Sequence, residues 1–145
     1  MKILLAVDGS LHSLAAAGEI AQRPWPQGSR VKIIHAAKRP TILPPVEQTL
    51  PEIAYSEMEK EAGHTIDNAR ARFTMGADAQ LAIESEIIHG YPKNVILEEA
   101  EKWGADLIVL GARGLNAIER FLLGSVSRAV ATHAKCSVEI VRPAM

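Results

Sequence analysis

The chain opens on KILLAV, Lys2 to Val7, a short unbroken apolar run of the kind that forms a strand covered on both sides. The run stops at Asp8-Gly9-Ser10, where Ser10 can cap a helix whose Leu14, Ala15, Ala17, Gly18 and Ala21 recur at helical spacing until Pro24 ends it. A second apolar run, VKIIHAA from Val31 to Ala37, predicts a second strand. Prolines at positions 40, 44, 45 and 51 mark Lys38 to Pro51 as a mobile loop with little regular hydrogen bonding. Glu52 to Phe73 returns to helical spacing, with Gly76 as its stop. Gln80 to Ile88 alternates, with Leu81, Ile83 and Ile87 against Glu84 and Glu86, which predicts a strand with one wet face. His89-Gly90-Tyr91-Pro92 is a turn that places proline at the start of a helix running through Val95, Ile96 and Ala100 to Gly104. Ala105 to Leu110, ADLIVL, is a further buried strand, Ser125 to His133 a short helix, and Ser137 to Val141 a last strand.

Strands that alternate with helices in this way build a mostly parallel sheet with helices on both faces, and right-handed crossovers reduce the topologies to a doubly wound sheet. Ligands of such sheets bind beyond the carboxyl ends of the strands, where the winding reverses. The pattern alone does not locate that reversal. If the chain winds outward from the first strand and returns beside it with the fourth, Asp8 and Gly111 face each other across the crevice.

Composition narrows the classes of function. A chain of 145 residues is expected to form one domain with one substantial core. Hydrophobic residues make up 48% of it and aromatic ones only 4%, so Ala, Val, Ile and Leu must fill that core, which suits buried parallel strands. The formal net charge of −1, without a long run of Lys or Arg, argues against nucleic acid as a partner. The apolar runs are too short to cross a bilayer, and Asp8 interrupts the first before a signal peptide could complete, so the expected location is the cytoplasm. The single cysteine, Cys136, precedes an apolar run and reads as a small core or edge residue. Histidines at 12, 35, 64, 89 and 133 do not fall at metal-site spacing, and no zinc site is expected. His35, inside an apolar strand, reads as a hydrogen-bonded core histidine, and Asp106, at the start of its strand, as structural.

The candidate chemistry lies in residues 110 to 127, LGARGLNAIERFLLGSVS. Gly111 and Gly114 follow a buried strand; Gly124-Ser125 opens a helix. Backbone N–H groups can close on phosphate oxygens where no Cβ stands in the way, and the N–H groups of Ser125, Val126 and Ser127 with the Ser125 hydroxyl suit an anion at the helix start. Each glycine taken singly could equally serve only to make a turn. Asp8 could accept from ribose hydroxyls or help to hold Mg²⁺, or it could share a helix cap with Ser10. No Walker A motif is present and no lysine lies between 111 and 127, so fast ATP hydrolysis is not expected. Neither a positioned general base nor a G-x-S-x-G elbow is evident, and binding is better supported than turnover.

At these residues the chain resembles the universal stress protein family, whose nucleotide-binding branch carries G-x2-G-x9-G-[ST]; Gly111, Gly114, Gly124 and Ser125 match it at full spacing. The likeness extends to KILLAVDGS, IIHA, the GYP turn, ADLIVLG and SVEIVRP. It implies an adenine nucleotide alpha hydrolase-like fold, a five-stranded parallel sheet of order 3-2-1-4-5, with its reversal between the first and fourth strands. The resemblance further implies an adenine pocket at Ala6, Val7, Asp8 and the backbone near Ala36, with Leu110 beside the base. Gly111, Arg113 and Gly114 would lie toward the ribose and first phosphates, and Gly124, Ser125, Val126 and Ser127 would hold the outer ones. Arg113 stands at a variable position of the family and reads either as a phosphate contact or as a surface arginine. ATP and Mg²⁺ are the implied ligands, and the implied role is a regulatory module whose bound nucleotide changes the surface offered to a protein partner. A slow ATPase, a protein autophosphorylated at Ser125 or Ser127, and an interaction module that is empty or takes AMP are the alternatives. Ser137 to Val141, apolar at Val138, Ile140 and Val141, would form an edge strand that pairs with a second copy in a homodimer.

Overall fold

The expected β-α alternation is present in full: β1 (Lys2–Ala6), α1 (Leu11–Gln22), β2 (Arg30–Ala37), α2 (Glu52–Thr74), β3 (Ala82–His89), α3 (Pro92–Trp103), β4 (Leu107–Gly111), α4 (Ser125–His133) and β5 (Ser137–Val141). The computed structural model describes residues 1–38, 52–74, 81–115 and 122–144, with the side chains of 52–55 excepted. The proline loop beyond Lys38, the helix stop at Gly76 and the strand start at Gln80 lie outside the described residues. All four strand pairings are parallel and the order is β3-β2-β1-β4-β5, so the winding reverses between β1 and β4.

The unbroken apolar runs have their reason in this layering. Along β1, Ile3 and Leu5 join a core that also holds Ala16, Ala17 and Ile20 of α1 and Ile66, Ala69 and Phe73 of α2. Leu4 joins a second core with Val95, Ile96 and Ala100 of α3 and Val130 of α4. Successive residues of a strand face opposite sides, so a strand covered on both must be apolar at every position. Ile3, Leu4 and Leu5 are each 0% exposed. Among the described residues, no helix is long and apolar enough to cross a membrane.

Helix ends follow their local chemistry. The Ser10 hydroxyl accepts from the Ser13 N–H at 3.2 Å and caps α1. Pro92 sits at the first turn of α3, and Gly104, in the left-handed region at φ 77°, ends it. The Asp106 carboxylate accepts from the Lys2 N–H at 2.7 Å, the structural role expected of it.

The wet face expected of β3 is present, with the Glu84 and Glu86 side chains 42% and 49% exposed. Both also have partners: Glu84 accepts from the Trp103 indole of α3 at 3.0 Å, and Glu86 pairs with Lys32 of β2 at 2.7 Å. Lys32 lies in the middle of β2, 8% exposed, and its ammonium also meets the buried Glu99 of α3 at 2.6 Å. Burial pulls the Lys32 ammonium down, but hydrogen bonds to Glu86 and Glu99 outweigh it and leave the pKa raised. The half-exposed polar face of β3 thus adjoins a buried ion pair, because the neighbouring strand β2 supplies the cation.

Candidate functional site

The carboxyl ends of β1, β2 and β4 open into a cleft of about 1000 Å³, bounded on one side by α2 and on the other by the starts of α3 and α4. All twelve residues singled out in the sequence line it: Ala6, Val7 and Asp8 beyond β1, Ala36 on β2, Leu110, Gly111, Arg113 and Gly114 at and beyond β4, and Gly124, Ser125, Val126 and Ser127 at the start of α4. The apolar floor on the α3 side is made by Ala6, Ala36 and Leu110, together with Ile34 and Ile96.

Asp8 ties the two strand ends together. One carboxylate oxygen accepts from the Ser10 N–H at 2.9 Å and the other from the Leu115 N–H at 3.2 Å. The first bond is the helix-start arrangement read from the sequence; the second, to a loop 107 residues away, could not be read there. The Ser10 hydroxyl adds a contact to the Arg113 carbonyl at 3.4 Å. The loop after β4 is thereby held against the turn after β1, where Gly9 takes φ 87° under Thr65 of α2.

The three motif glycines have different local causes, and none has positive φ. A Cβ on Gly111 would stand 2.7 Å from the backbone carbon of His12, so glycine is required there by the approach of α1 to β4. On Gly114 it would stand 2.6 Å from the Asp8 carboxylate. On Gly124 its nearest neighbour would be the Arg113 Cα at 3.4 Å, a contact the protein tolerates. Packing thus accounts for Gly111 and leaves Gly124 to be explained by what occupies the cleft.

α4 starts at that glycine. Gly124 is its N-cap and makes no side-chain cap, unlike Ser10 on α1. Its own N–H donates to the Ala112 carbonyl at 2.7 Å, and the first helical bond runs from Arg128 N–H to Gly124 carbonyl at 3.1 Å. The N–H groups of the first turn precede that bond and carry the positive end of the helix dipole toward the cleft. Ser125 is exposed, whereas the Ser127 hydroxyl is buried and engaged with the carbonyls of Ala112 at 2.8 Å and Gly124 at 3.1 Å. Of the two serines, Ser125 is the one whose hydroxyl is open to a phosphoryl group.

Sequence reasoning missed the α2 wall, where Met58, Ala62 and Thr65 line the cleft, because these are ordinary positions of an amphipathic helix. It also missed His35 as a lining residue: the hydrogen bond expected of it is present, to the Val7 carbonyl at 2.8 Å, yet the residue also lines the cleft. Among the described residues, no group of three or more His, Cys, Asp or Glu is arranged to hold a metal ion. Cys136 packs against the α3–α4 core, and burial, with Asp106 adding to it, pushes its thiol up, which makes it a poor nucleophile.

His12, in the first turn of α1, has its Nδ1 buried without a hydrogen-bond partner. Burial, then the charges of Arg113 and Arg142, hold its pKa below 6.5, with Asp8 pulling the other way. The folded protein therefore binds fewer protons at this site than the unfolded chain. The resulting stability is present above pH ~6.5 and is lost as pH falls through the folded value. Melting temperatures between pH 7.5 and 5 should fall more steeply for the wild type than for His12→Gln, and equal slopes would contradict this.

The universal stress protein family model matches residues 1–142. The universal stress protein in QAH/OAS sulfhydrylase 3′ region of Thermus aquaticus is 34% identical over 140 residues, covering 97% of each chain. Among solved structures, universal stress protein UspA from Lactobacillus plantarum superposes with a TM-score of 0.79 at 30% identity, covering 98% of this chain and 97% of its own. A universal stress protein solved in complex with cAMP gives 0.61 at 29% identity, covering 98% and 96%. With its 3-2-1-4-5 sheet and this match along nearly its whole length, the chain belongs to the universal stress protein family.

Proposed function

We propose that this protein is an adenine-nucleotide-binding regulatory module, with MgATP as its ligand. The observation that carries the reading is the N-terminus of α4, which opens on the cleft at a glycine that supplies no side-chain cap and has no packing need to be glycine. An anion there would take the N–H groups of Ser125, Val126 and Ser127, with the ribose and first phosphates along Gly111, Arg113 and Gly114 and the base over Ala6, Ala36 and Leu110. Asp8 suits the minor share that Mg²⁺ asks of a protein when phosphates supply most of its ligands: one carboxylate, at the strand end, lining the cleft. No lysine lies among residues 110 to 127 to complete a Walker-type phosphate loop, which favours binding over turnover. Leu115 is 68% exposed and its N–H rests on Asp8, so a ligand that engages Asp8 changes the surface offered to a protein partner.

Millimolar MgATP is expected to raise the melting temperature, since a ligand selective for the native state adds about 2.7 kcal/mol at a hundredfold excess over its dissociation constant. An unmoved melting temperature would sink the proposal. The cAMP complex of the 29% identical relative favours a second reading, a monophosphate ligand, which predicts an equal or larger shift with AMP or cAMP.

The same proposal includes a homodimer. β5 is the last strand of the sheet, with Val138 and Ile140 half-buried and one row of backbone groups facing outward. Antiparallel pairing with the same strand of a second copy closes on itself. Sedimentation should give twice the 15.7 kDa of one chain, and Ile140→Lys should return the mass to that of one chain. A wild-type mass of one chain at micromolar concentration would refute the dimer.

A further inference from the structure

We propose that His35 is a ligand-reading residue on the α2 side of the cleft, one that selects nucleotides presenting a hydrogen-bond donor to it; this rests on the nucleotide reading above. The backbone at the end of β1 is already committed: the Val7 N–H donates to the Ile34 carbonyl at 2.9 Å, and the Val7 carbonyl is met by His35 Nδ1 at 2.8 Å. A carbonyl can only accept, so Nδ1 carries the proton and the neutral ring keeps its lone pair on Nε2. The tautomer is thus set by the wall of the cleft rather than by the ligand. Nε2 lies on the far side of the ring from Val7 in a residue that lines the cleft. The neighbouring hydroxyl on this side, that of Thr65, donates to the Glu61 carbonyl of its own helix at 3.1 Å. We infer that this Nε2 acceptor, in a residue that lines the cleft, stands in for the occupied Val7 carbonyl.

The chemistry such a group recognises is an N–H or O–H. On an adenine nucleotide the donors are the 6-amino group of the base and the ribose hydroxyls. A site built around a hydrogen bond discriminates strongly against an analogue that lacks the donor, because the acceptor is then left desolvated and unpaired. A 6-oxo base would also set a carbonyl oxygen against the Nε2 lone pair.

Dissociation constants for ATP, ITP, 2′-dATP and 3′-dATP, measured by calorimetry on the wild type, His35→Phe and His35→Gln, test this. The wild type should prefer ATP by roughly tenfold or more over at least one analogue. That preference should shrink to within about twofold in His35→Phe and return in His35→Gln, whose amide can donate to Val7 and still accept from the ligand. Loss of preference against ITP identifies the amine as the donor read, and loss against a deoxynucleotide identifies the hydroxyl. A general loss of stability in His35→Phe weakens all four ligands together and leaves their ratios unchanged. Ratios that match between wild type and His35→Phe, or a wild type indifferent among the four, overturn the assignment of His35 while the nucleotide reading stands. A wild type that binds none of them removes both.

Discussion

Gly124→Val is expected to abolish the MgATP-dependent rise in melting temperature while the ligand-free protein stays folded, melting no more than about 5 °C lower. Two observations separate these effects. The protein itself accommodates a Cβ at position 124, with its nearest neighbours at 3.4 and 3.5 Å, so the cost without ligand is chiefly that of valine in place of glycine at an N-cap. On the proposed binding mode, the γ-methyls of valine would crowd an anion approaching the first turn of α4. Gly111→Ala should behave in the opposite way. Its methyl meets α1 backbone at 2.7 Å, so the ligand-free protein loses about 1–3 kcal/mol of stability whatever happens to binding. If Gly124→Val kept the full nucleotide shift, the phosphates would not lie at α4.

Lys32→Ala should be among the most destabilising single changes, costing about 3 kcal/mol, or roughly 10 °C in melting temperature. It strands Glu99, 7% exposed, without its cation, and opens a hole in the α3 side of the core. Glu86 is half exposed and can turn to water, so Glu99 carries most of the effect. Replacing Lys32 by Met together with Glu99 by Leu should restore most of the lost stability, since an apolar pair of similar volume avoids the desolvation of two charges. A loss below about 1 kcal/mol for Lys32→Ala would mean that water reaches the pair.

These two positions also mark what could be read from the sequence. The buried strands, the helices and their caps were legible because each depends on neighbours a few residues away: Ile3 to Val7 is apolar throughout since both faces of the strand are covered, and Ser10 and Gly104 act within one turn of their helices. The glycine spacing pointed to one end of the sheet, and the structure brings Gly111, Gly114, Gly124 and Ser125 into the same cleft as Asp8. Pairings across long separations were not legible. Nothing near Lys32 announces Glu99, 67 residues on, and nothing near Glu84 and Glu86 announces their partners Trp103 and Lys32. The reason for each glycine was equally hidden, since spacing treats Gly111 and Gly124 alike whereas one is fixed by α1 and the other is not. The α2 wall and the inward turn of the Ser127 hydroxyl depend on tertiary packing that no local pattern encodes.

The most direct test of nucleotide binding in this cleft is native mass spectrometry of protein stripped of ligand and then mixed with MgATP. The expected spectrum shows each chain heavier by one adenine nucleotide in the wild type and no such adduct for Gly124→Val. Wild-type protein that stays at its bare mass with MgATP, AMP and cAMP alike would contradict the proposal.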